Sequence, residues 1–577
     1  MLAKAKGMRQ GREGALTQGR SFDVKWLFII GIVAFLILFE VFPMVYMFIK
    51  SFFPAKGFSL ASYRKTYGYE LNQISLRNTL VSAFGTMVLG TLIAFPLAWL
   101  VGRTNLYYRK FFRGLCVMTY MVPPYVGAMA WSRLLNPNVG IINVFLRNVF
   151  HLSSKTGPFD IYTIGGMIWV LTSFYYPYAF ITISRAMEKM DPSLEEASRI
   201  SGASSWKTLW TITLPMMTPS IIAGALLVFV SAASAYGIPS IIGANAKVKI
   251  PTVTTRIIDY VGLGVDGLSD AMSLAVFLML LANFVLYIST FVVGKRKYIT
   301  VSGKSTRPNT VDLGRWRVFF TVLMFLFAFI MIVLPFVTVG LTSITKNLGK
   351  SVWEKGNFTT MHWSRIFSRK DVFLSVKNSL LYAVITATFG IIVSVVMANL
   401  LERTTIKGRR IPDFLITVGS GTPSVVIALG LIMTMRGQFG INLYNTMWIM
   451  IIAYLVKYLM MGMRTVVSAM SQIHVSLEEC SRISGAGWLK TTWRITIPLI
   501  APSIAAGWFL IFIPTFYELS MSTLLYSKDT QVIGYKLHYY WTYTSQQQAS
   551  AIAFGILVFI VILNSVLNKL TKGEFSI

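Results

Sequence analysis

Two acidic pairs occupy equivalent positions in two copies of one polar segment. Glu195 and Glu196 lie in the first copy, and Glu478 and Glu479 lie in the second. Each pair follows a Ser-Leu dipeptide, so the serine resembles a helix N-cap and the carboxylates fall in the first helical turn. There they complement the partial positive charge of the helix N-terminus. This pattern suits a short exposed helix that docks against a partner.

The two copies are similar over 28 residues. The first, from Leu194 to Ile221, reads LEEASRISGASSWKTLWTITLPMMTPSI, and the second, from Leu477 to Ile504, reads LEECSRISGAGWLKTTWRITIPLIAPSI, with 18 identical pairs. Loops normally vary more than packed helices, so a retained loop sequence favours a function. Glycines permit a turn after the short helix, and prolines begin the following span. These glycines and prolines are Gly202, Pro215, Gly485 and Pro498.

Two carboxylates are set deeply in apolar sequence, where ionisable groups are costly and are usually functional or paired. Glu40 and Glu518 could be transient ligands of a cationic substrate; alternatively, each lies near the outer interface or pairs with a basic group such as Lys457. Prolines in the third span of each half predict a broken helix that either lines a cavity or forms a packing kink. The further pathway candidates are Pro123, Pro124, Tyr236, Pro423, Tyr517 and Ser520.

The residue types that catalysis or metal binding would need are scattered. Cys116 and Cys480 have no metal-ligand spacing, and the four histidines form no cluster in the sequence. Gly303, Lys304 and Ser305 resemble part of a phosphate-binding loop, but Tyr298 stands where that loop needs a glycine. We therefore expect no enzyme activity, no bound cofactor and no metal site in this chain.

Composition places these motifs in a bilayer. The 577 residues are 55% hydrophobic and 13% charged, and the apolar runs are about 20 residues long, the length of a membrane-spanning helix. We predict an all-α polytopic membrane protein with about twelve spans. The net charge of +31 comes from basic residues beside the spans, where they set topology and contact anionic lipid, so nucleic-acid binding is not expected.

Basic loops orient the spans, because Lys and Arg accumulate on the cytoplasmic side. They place both termini in the cytoplasm, together with a polar linker at 295–317 between the halves. The tail 1–25 precedes an apolar run from Trp26 to Ile49, which is too long for a signal-peptide core and should remain as the first span.

The spans themselves repeat. LRNTLVSAFGTMVLGTLIAFPLAWLVGRT, which begins at Leu76, matches VKNSLLYAVITATFGIIVSVVMANLLERT, which begins at Val376. Two six-span domains are therefore predicted, related by a pseudo-twofold axis along the membrane normal because six is even. The first domain covers 26–294 with its polar loop at 185–218, and the second covers 318–577 with its loop at 466–501.

Both loops resemble the E-A-A loop of ATP-binding-cassette importer permeases, E-A-A-x3-G-x9-I-x-L-P. The first copy departs from this motif only in a serine for the second alanine, and the second copy also has Cys for the first alanine and Ile for Leu. The matching residues are Glu196, Ala197, Ser198, Gly202, Ile212, Leu214 and Pro215 in the first copy, and Glu479, Cys480, Ser481, Gly485, Ile495, Ile497 and Pro498 in the second.

The resemblance implies a type I importer fold, with coupling helices that dock in two cytoplasmic ATPase subunits. ATP and Mg would bind those subunits, and an extracytoplasmic solute-binding protein would deliver the substrate at a bacterial inner membrane. The segments PPYVGAMAW and YGIPSIIG look most like permeases for ferric iron, thiamine and aminoethylphosphonate; we rank ferric iron first and keep the other two and a polyamine as alternatives. A twelve-span secondary transporter is a further alternative, but the loop GRTNLYYRKFFR lacks the G-x-x-x-D-R motif of that architecture.

Overall fold

Helices account for the regular secondary structure of the described chain. A computed structural model describes residues 24–53, 57–191, 193–295, 311–350, 353–406 and 408–570, and within them β-pairing is limited to isolated bridges. Ten of the described helices are long and apolar enough to cross a bilayer, and a bent pair would add an eleventh. The predicted all-α class is confirmed, and the described residues contain ten or eleven spans where about twelve were predicted. Most of the predicted tail 1–25 and linker 295–317 lies outside the described residues.

The first half contains fourteen α-helices in its described residues. They are α1 Val24–Leu36, α2 Phe42–Phe52, α3 Ala61–Gly68, α4 Glu70–Arg103, α5 Arg109–Met118, α6 Pro124–Leu135, α7 Ile141–Val149, α8 Ile164–Lys189, α9 Ser193–Ile200, α10 Ser205–Thr208, α11 Leu214–Ala233, α12 Gly237–Ile242, α13 Val253–Gly262 and α14 Val265–Lys295.

The second half repeats this order over its described residues. Its helices are α15 Trp316–Ala328, α16 Leu334–Ser343, α17 Met361–Phe367, α18 Lys370–Arg403, α19 Arg410–Gly421, α20 Ser424–Thr434, α21 Met447–Met470, α22 Ser476–Ile483, α23 Trp488–Thr491, α24 Ile497–Phe516, α25 Ser522–Leu525, α26 Ile533–Tyr543 and α27 Gln546–Leu570. The helices α4 and α18 each have 34 residues, as the sequence repeat predicts.

The third segment of each half is broken, as the prolines predict. Pro123 is the N-cap of α6, and Pro423 is the N-cap of α20. The axes of α19 and α20 differ by 107° across this break. Because neither α6 nor α20 has more than 12 residues, each is too short to cross a bilayer alone.

Four further prolines lie within continuous spans, each just after a turn of π-helix. The π-turns are Ile37–Val41, Leu209–Thr213, Phe329–Val333 and Thr492–Thr496. The proline ring removes a backbone donor and crowds the preceding turn, and a π-turn is one way in which a helix accommodates such a disruption. The expectation that Pro215 and Pro498 begin a new span is therefore wrong, since the helical stretches start earlier, near Trp206 and Trp488.

The first span of each half also packs against the other half. In the first half α4 packs against α8 and α11, and in the second half α18 packs against α21 and α24. The helix α2 packs on α20 of the second half, while α16 packs on α6 of the first. One buried apolar cluster includes residues of both halves, so the two repeats share a core.

Candidate functional site

The short helix α9, which carries the first glutamate pair and which we name the first docking helix after its expected role, is joined to the end of α4 by a buried carboxylate. Glu195 is 6% exposed, and its Oε1 accepts a hydrogen bond of 2.7 Å from the Thr213 hydroxyl. A guanidinium nitrogen of Arg103, the last residue of α4, lies 3.5 Å from Oε2 of the same carboxylate. The first glutamate of the pair therefore attaches α9 to the rest of its own half.

The second docking helix, α22, has the same anchor. Nε of Arg403 lies 2.9 Å from Oε1 of Glu478, and the Thr496 hydroxyl donates to that oxygen at 3.3 Å. Arg403 also donates to the carbonyls of Met470 and Ile473, both at 3.0 Å. Since the guanidinium hydrogen-bonds α22, the end of α21 and the following turn, these elements and α18 are joined at one point.

The second glutamate of each pair faces outward. Glu196 and Glu479 are exposed, as are the neighbouring Ala197 and Cys480. Beside them Ile200 and Ile483 are 87% and 86% exposed, although such side chains are usually buried. Trp210 and Trp493 extend this apolar surface. A surface that combines exposed apolar residues with carboxylates is typical of an interaction site.

The turn after each docking helix is built in the same way. Gly202 and Gly485 have φ values of +84° and +82°, a region that residues with a Cβ rarely adopt. Across the turn, Ser198 bonds Thr208 at 2.9 Å. The equivalent hydroxyls of Ser481 and Thr491 are also 2.9 Å apart. The repeated sequence therefore produces a repeated local structure.

The N-termini of the docking helices are capped by residues upstream of the predicted serines. Oδ1 of Asp191 accepts from the Ser193 N–H at 2.9 Å, and this backbone hydrogen bond holds the pKa of Asp191 below its usual value. At the equivalent position, Nδ1 of His474 accepts from the Ser476 N–H at 3.3 Å. An imidazole can accept only through an unprotonated nitrogen.

A cavity of about 320 Å³ lies between the two halves. Five of the predicted pathway residues line it, and Tyr125, Tyr175, Tyr178 and Tyr458 add further phenol groups. The Tyr125 hydroxyl donates to the Tyr517 carbonyl at 3.0 Å, which bridges the halves. Pro123 and Pro423 are buried beside it but are not among its lining residues. The five predicted lining residues are Pro124, Tyr236, Tyr517, Glu518 and Ser520.

Lys457 lines this cavity and hydrogen-bonds the backbone at the break between α19 and α20. Its ammonium donates to the carbonyls of Ser420 and Thr422, at 2.8 and 2.7 Å. These carbonyls lie at the C-terminal end of α19, where helical acceptors lack intrahelical partners. The lysine therefore satisfies backbone groups that the break leaves open, instead of forming a salt bridge with Glu40 or Glu518.

The Glu518 carboxylate caps the N-terminus of the short helix α25, which begins four residues later. It accepts from the backbone N–H of Met521 at 2.9 and 3.1 Å, and from the N–H and hydroxyl of Ser522 at 2.9 and 2.7 Å. Carboxylates with several such donors are held firmly in place. Glu518 thus has a structural role at the cavity wall, which the sequence did not reveal.

Glu40 lies outside the cavity lining. It is 1% exposed and packs against the backbone of Gly419, where an added Cβ would come within 2.6 Å of its Cδ. It lies in the π-turn that precedes α2 and faces α19, and no ion pair joins it to Lys457 among the described residues.

Sequence reasoning missed the anchoring arginines and threonines. Arg103 and Arg403 recur in the span repeat, and Thr213 and Thr496 recur in the loop repeat. The available signal was that these arginines and threonines are present in both copies of the repeats. Nothing in the sequence, however, placed the end of α4 next to the docking helix. Among the described residues, no group of three His, Cys, Asp or Glu side chains could hold a metal ion.

The duplicated helical core, the two docking helices and the cavity between the halves define a membrane transport protein of the permease class. The chain matches the family described as "Binding-protein-dependent transport system inner membrane component" over residues 94–297 and 390–572, and it belongs to that family. Both halves carry the family's domain, so the chain is a fused permease with two transport domains.

Two named relatives align with most of this chain. The ferric transport system permease protein FbpB of Actinobacillus pleuropneumoniae is 24% identical over 558 residues, which cover 96% of this chain and 78% of the relative. The Fe(3+)-transport system permease protein FbpB 2 of Haemophilus influenzae is 25% identical over 81% of this chain and 82% of its own length. The solved structure of a bacterial ABC transporter involved in alginate import aligns with 46% of this chain and 100% of its own, at 19% identity and a TM-score of 0.38.

Proposed function

We propose that this chain is the complete membrane permease of an ATP-driven, binding-protein-dependent importer of ferric iron. The observation that carries this proposal is the pair of docking helices, each anchored by a buried glutamate and each exposing a second glutamate beside apolar residues. Family membership supports the importer class. The names of two relatives that align with most of the chain support ferric iron as the cargo.

Hydrolysis of ATP takes place on partner subunits in this proposal. Two copies of a cytoplasmic ATP-binding-cassette ATPase bind α9 and α22, and their ATP and Mg lie outside this chain. The arginine anchors then carry movement of each docking helix into α4 and α18. Because the first span of each half also packs against the other half, the two domains respond together as rigid bodies.

The cavity between the halves is the proposed route of the cargo. Its wall offers phenol and hydroxyl oxygens from both halves, and hard cations prefer oxygen ligands. The carboxylate at the wall already accepts from three donor groups. A weak transient site fits transport better than a tight one, because a cargo must leave as well as enter. An extracytoplasmic solute-binding protein supplies the selectivity.

The protein lies in a bacterial inner membrane with both termini in the cytoplasm. The basic loops support this orientation, since Lys and Arg are enriched on the cytoplasmic side of membrane proteins. With this topology both docking helices face the cytoplasmic ATPases.

Reconstitution into proteoliposomes tests the proposal. The permease, its ATPase and its solute-binding protein should import ferric iron only when ATP is supplied on the ATPase side. Parallel assays with thiamine, aminoethylphosphonate and a polyamine should show no uptake. Uptake of one of these instead of iron would contradict the cargo, and uptake driven by an ion gradient without ATP would contradict the importer class.

A further inference from the structure

We infer that residues Val311–Arg317, the strap, fix the start of the second half to the base of the first docking helix, and that Asn105 and Asp312 position this attachment. The inference rests on the proposed coupling function and adds a route between the halves that the family match does not assign. The strap ends in the first two residues of α15, and it lies against the loop that follows α4.

Backbone and side-chain hydrogen bonds hold the strap in register. The Val311 N–H donates to the Arg103 carbonyl at 2.8 Å, and the Asn105 N–H donates to the Val311 carbonyl at 3.2 Å. The Asn105 amide donates to Asp312 at 2.6 Å and accepts from the Leu313 N–H at 3.1 Å. These four hydrogen bonds join segments that are about 200 residues apart in the sequence. So many polar contacts over so short a stretch indicate a specific attachment.

Aromatic and apolar contacts extend the attachment. The Arg317 guanidinium lies 3.6 Å from the centre of the Tyr107 ring, a distance typical of cation–π interactions. Leu313, with Phe320 and Phe327 of α15, packs on a buried cluster of the first half that includes Leu106. The strap is therefore held on both its polar and its apolar side.

One residue connects the strap to the docking helix. The carbonyl of Arg103 accepts from the strap, while the side chain of Arg103 lies 3.5 Å from the Glu195 carboxylate. A displacement of α9 that moves Arg103 must therefore also move Val311 and α15, the first span of the second half. The strap makes the first docking helix and that span a single mechanical unit.

The experiment compares variants in the complete reconstituted transporter. Asn105→Ala removes both side-chain bonds to the strap. The exchange N105D/D312N restores them, because the carboxylate introduced at position 105 accepts from the Leu313 N–H and from the amide introduced at position 312. Thr405→Ala, at an exposed residue in the repeat position of Asn105, is the matched control. Two quantities are measured: amide hydrogen exchange at Val311 and Leu313, and ATP hydrolysed per ion transported.

The wild-type amides at Val311 and Leu313 should exchange slowly. Asn105→Ala should speed their exchange by roughly 25-fold, the factor that corresponds to two hydrogen bonds of ordinary net strength, and should raise the ATP consumed per ion. The exchange variant should return both quantities toward wild type, and Thr405→Ala should change neither.

Three results would overturn the inference. Fast exchange in the wild-type protein would show that the strap is not attached. Faster exchange in Asn105→Ala with unchanged ATP consumption per ion, or no recovery in the exchange variant, would show that the attachment does not position the docking helix. Failure of the proposed function is distinct, since wild-type protein would then show no ATP-dependent transport.

Discussion

Arg403 and Glu478 form a buried ion pair, with Nε of the arginine 2.9 Å from Oε1 of the glutamate. The arginine ends the longest helix of the second half, and the glutamate lies in the first turn of the docking helix α22. The same relationship between Arg103 and Glu195 in the first half shows that each docking helix is attached to its own transport domain.

Removing the glutamate of this pair should destabilise the second docking helix. Glu478→Ala leaves the buried guanidinium of Arg403 without its counter-ion, a change that costs roughly 3–5 kcal/mol in buried pairs. The free energy of unfolding, measured by denaturant titration in detergent, should fall by that order. Glu479→Ala is the control, because an exposed residue should change stability by less than about 0.5 kcal/mol. Equal losses in the two variants would be inconsistent with the anchor.

Charge reversal at the outward-facing glutamates should instead affect coupling. In E196K/E479K both exposed carboxylates become ammonium groups, which oppose the positive N-terminal ends of α9 and α22 and change the docking surface. We expect loss of ATP-dependent uptake with normal membrane insertion, assessed by transport assays and membrane fractionation. If uptake and ATPase stimulation both stay at wild-type levels, these residues do not couple the permease to the ATPases.

Lys457 should be needed for the broken helix of the second half. Lys457→Met keeps most of the side-chain volume but leaves the Ser420 and Thr422 carbonyls without their donor, and each unsatisfied buried group costs roughly 1–3 kcal/mol. Thermal unfolding in detergent should shift to lower temperature. The exposed Lys249→Met variant serves as the control. An unchanged unfolding temperature in Lys457→Met would mean that water or another group replaces the lysine.

Glu518 should contribute to stability more than to cargo binding. Glu518→Ala leaves three donor groups without their acceptor, and a loss of at least about 2 kcal/mol in the free energy of unfolding is expected. The KM for ferric iron should change little, with the exposed Glu402→Ala as the control. A large rise in KM at unchanged stability would make this carboxylate a ligand of the cargo.

Sequence periodicity and repetition predicted the helical fold, the two transport domains and the paired docking helices. These features are local or repeated, so hydropathy and capping patterns are enough to find them. The breaks at Pro123 and Pro423 were also predicted, because proline disrupts a helix wherever it occurs in the interior. The continuous helix through Pro215 was not predicted, because the π-turn that precedes this proline lets the helix continue.

Long-range contacts were beyond the sequence. The arginine partners of Glu195 and Glu478 lie about 90 and 75 positions away, and no local pattern distinguishes the buried glutamate of each pair from the exposed one. The contacts of each first span with the other half, and the cap that Glu518 forms on α25, depend on packing in three dimensions. A single sequence carries no information on which distant residues pack together.

The most direct test of the whole account uses a reporter that the chain already carries. Of the two cysteines, Cys116 is buried and Cys480 is exposed on the docking helix α22, so a membrane-impermeant maleimide should label only Cys480, and Cys480→Ser should abolish labelling. We predict labelling in inside-out membrane vesicles from cells without the ATPase, protection when the ATPase is bound, and no labelling in right-side-out vesicles. Labelling from the outer side, or labelling that bound ATPase does not reduce, would contradict the claim that the docking helices receive the ATPases in the cytoplasm.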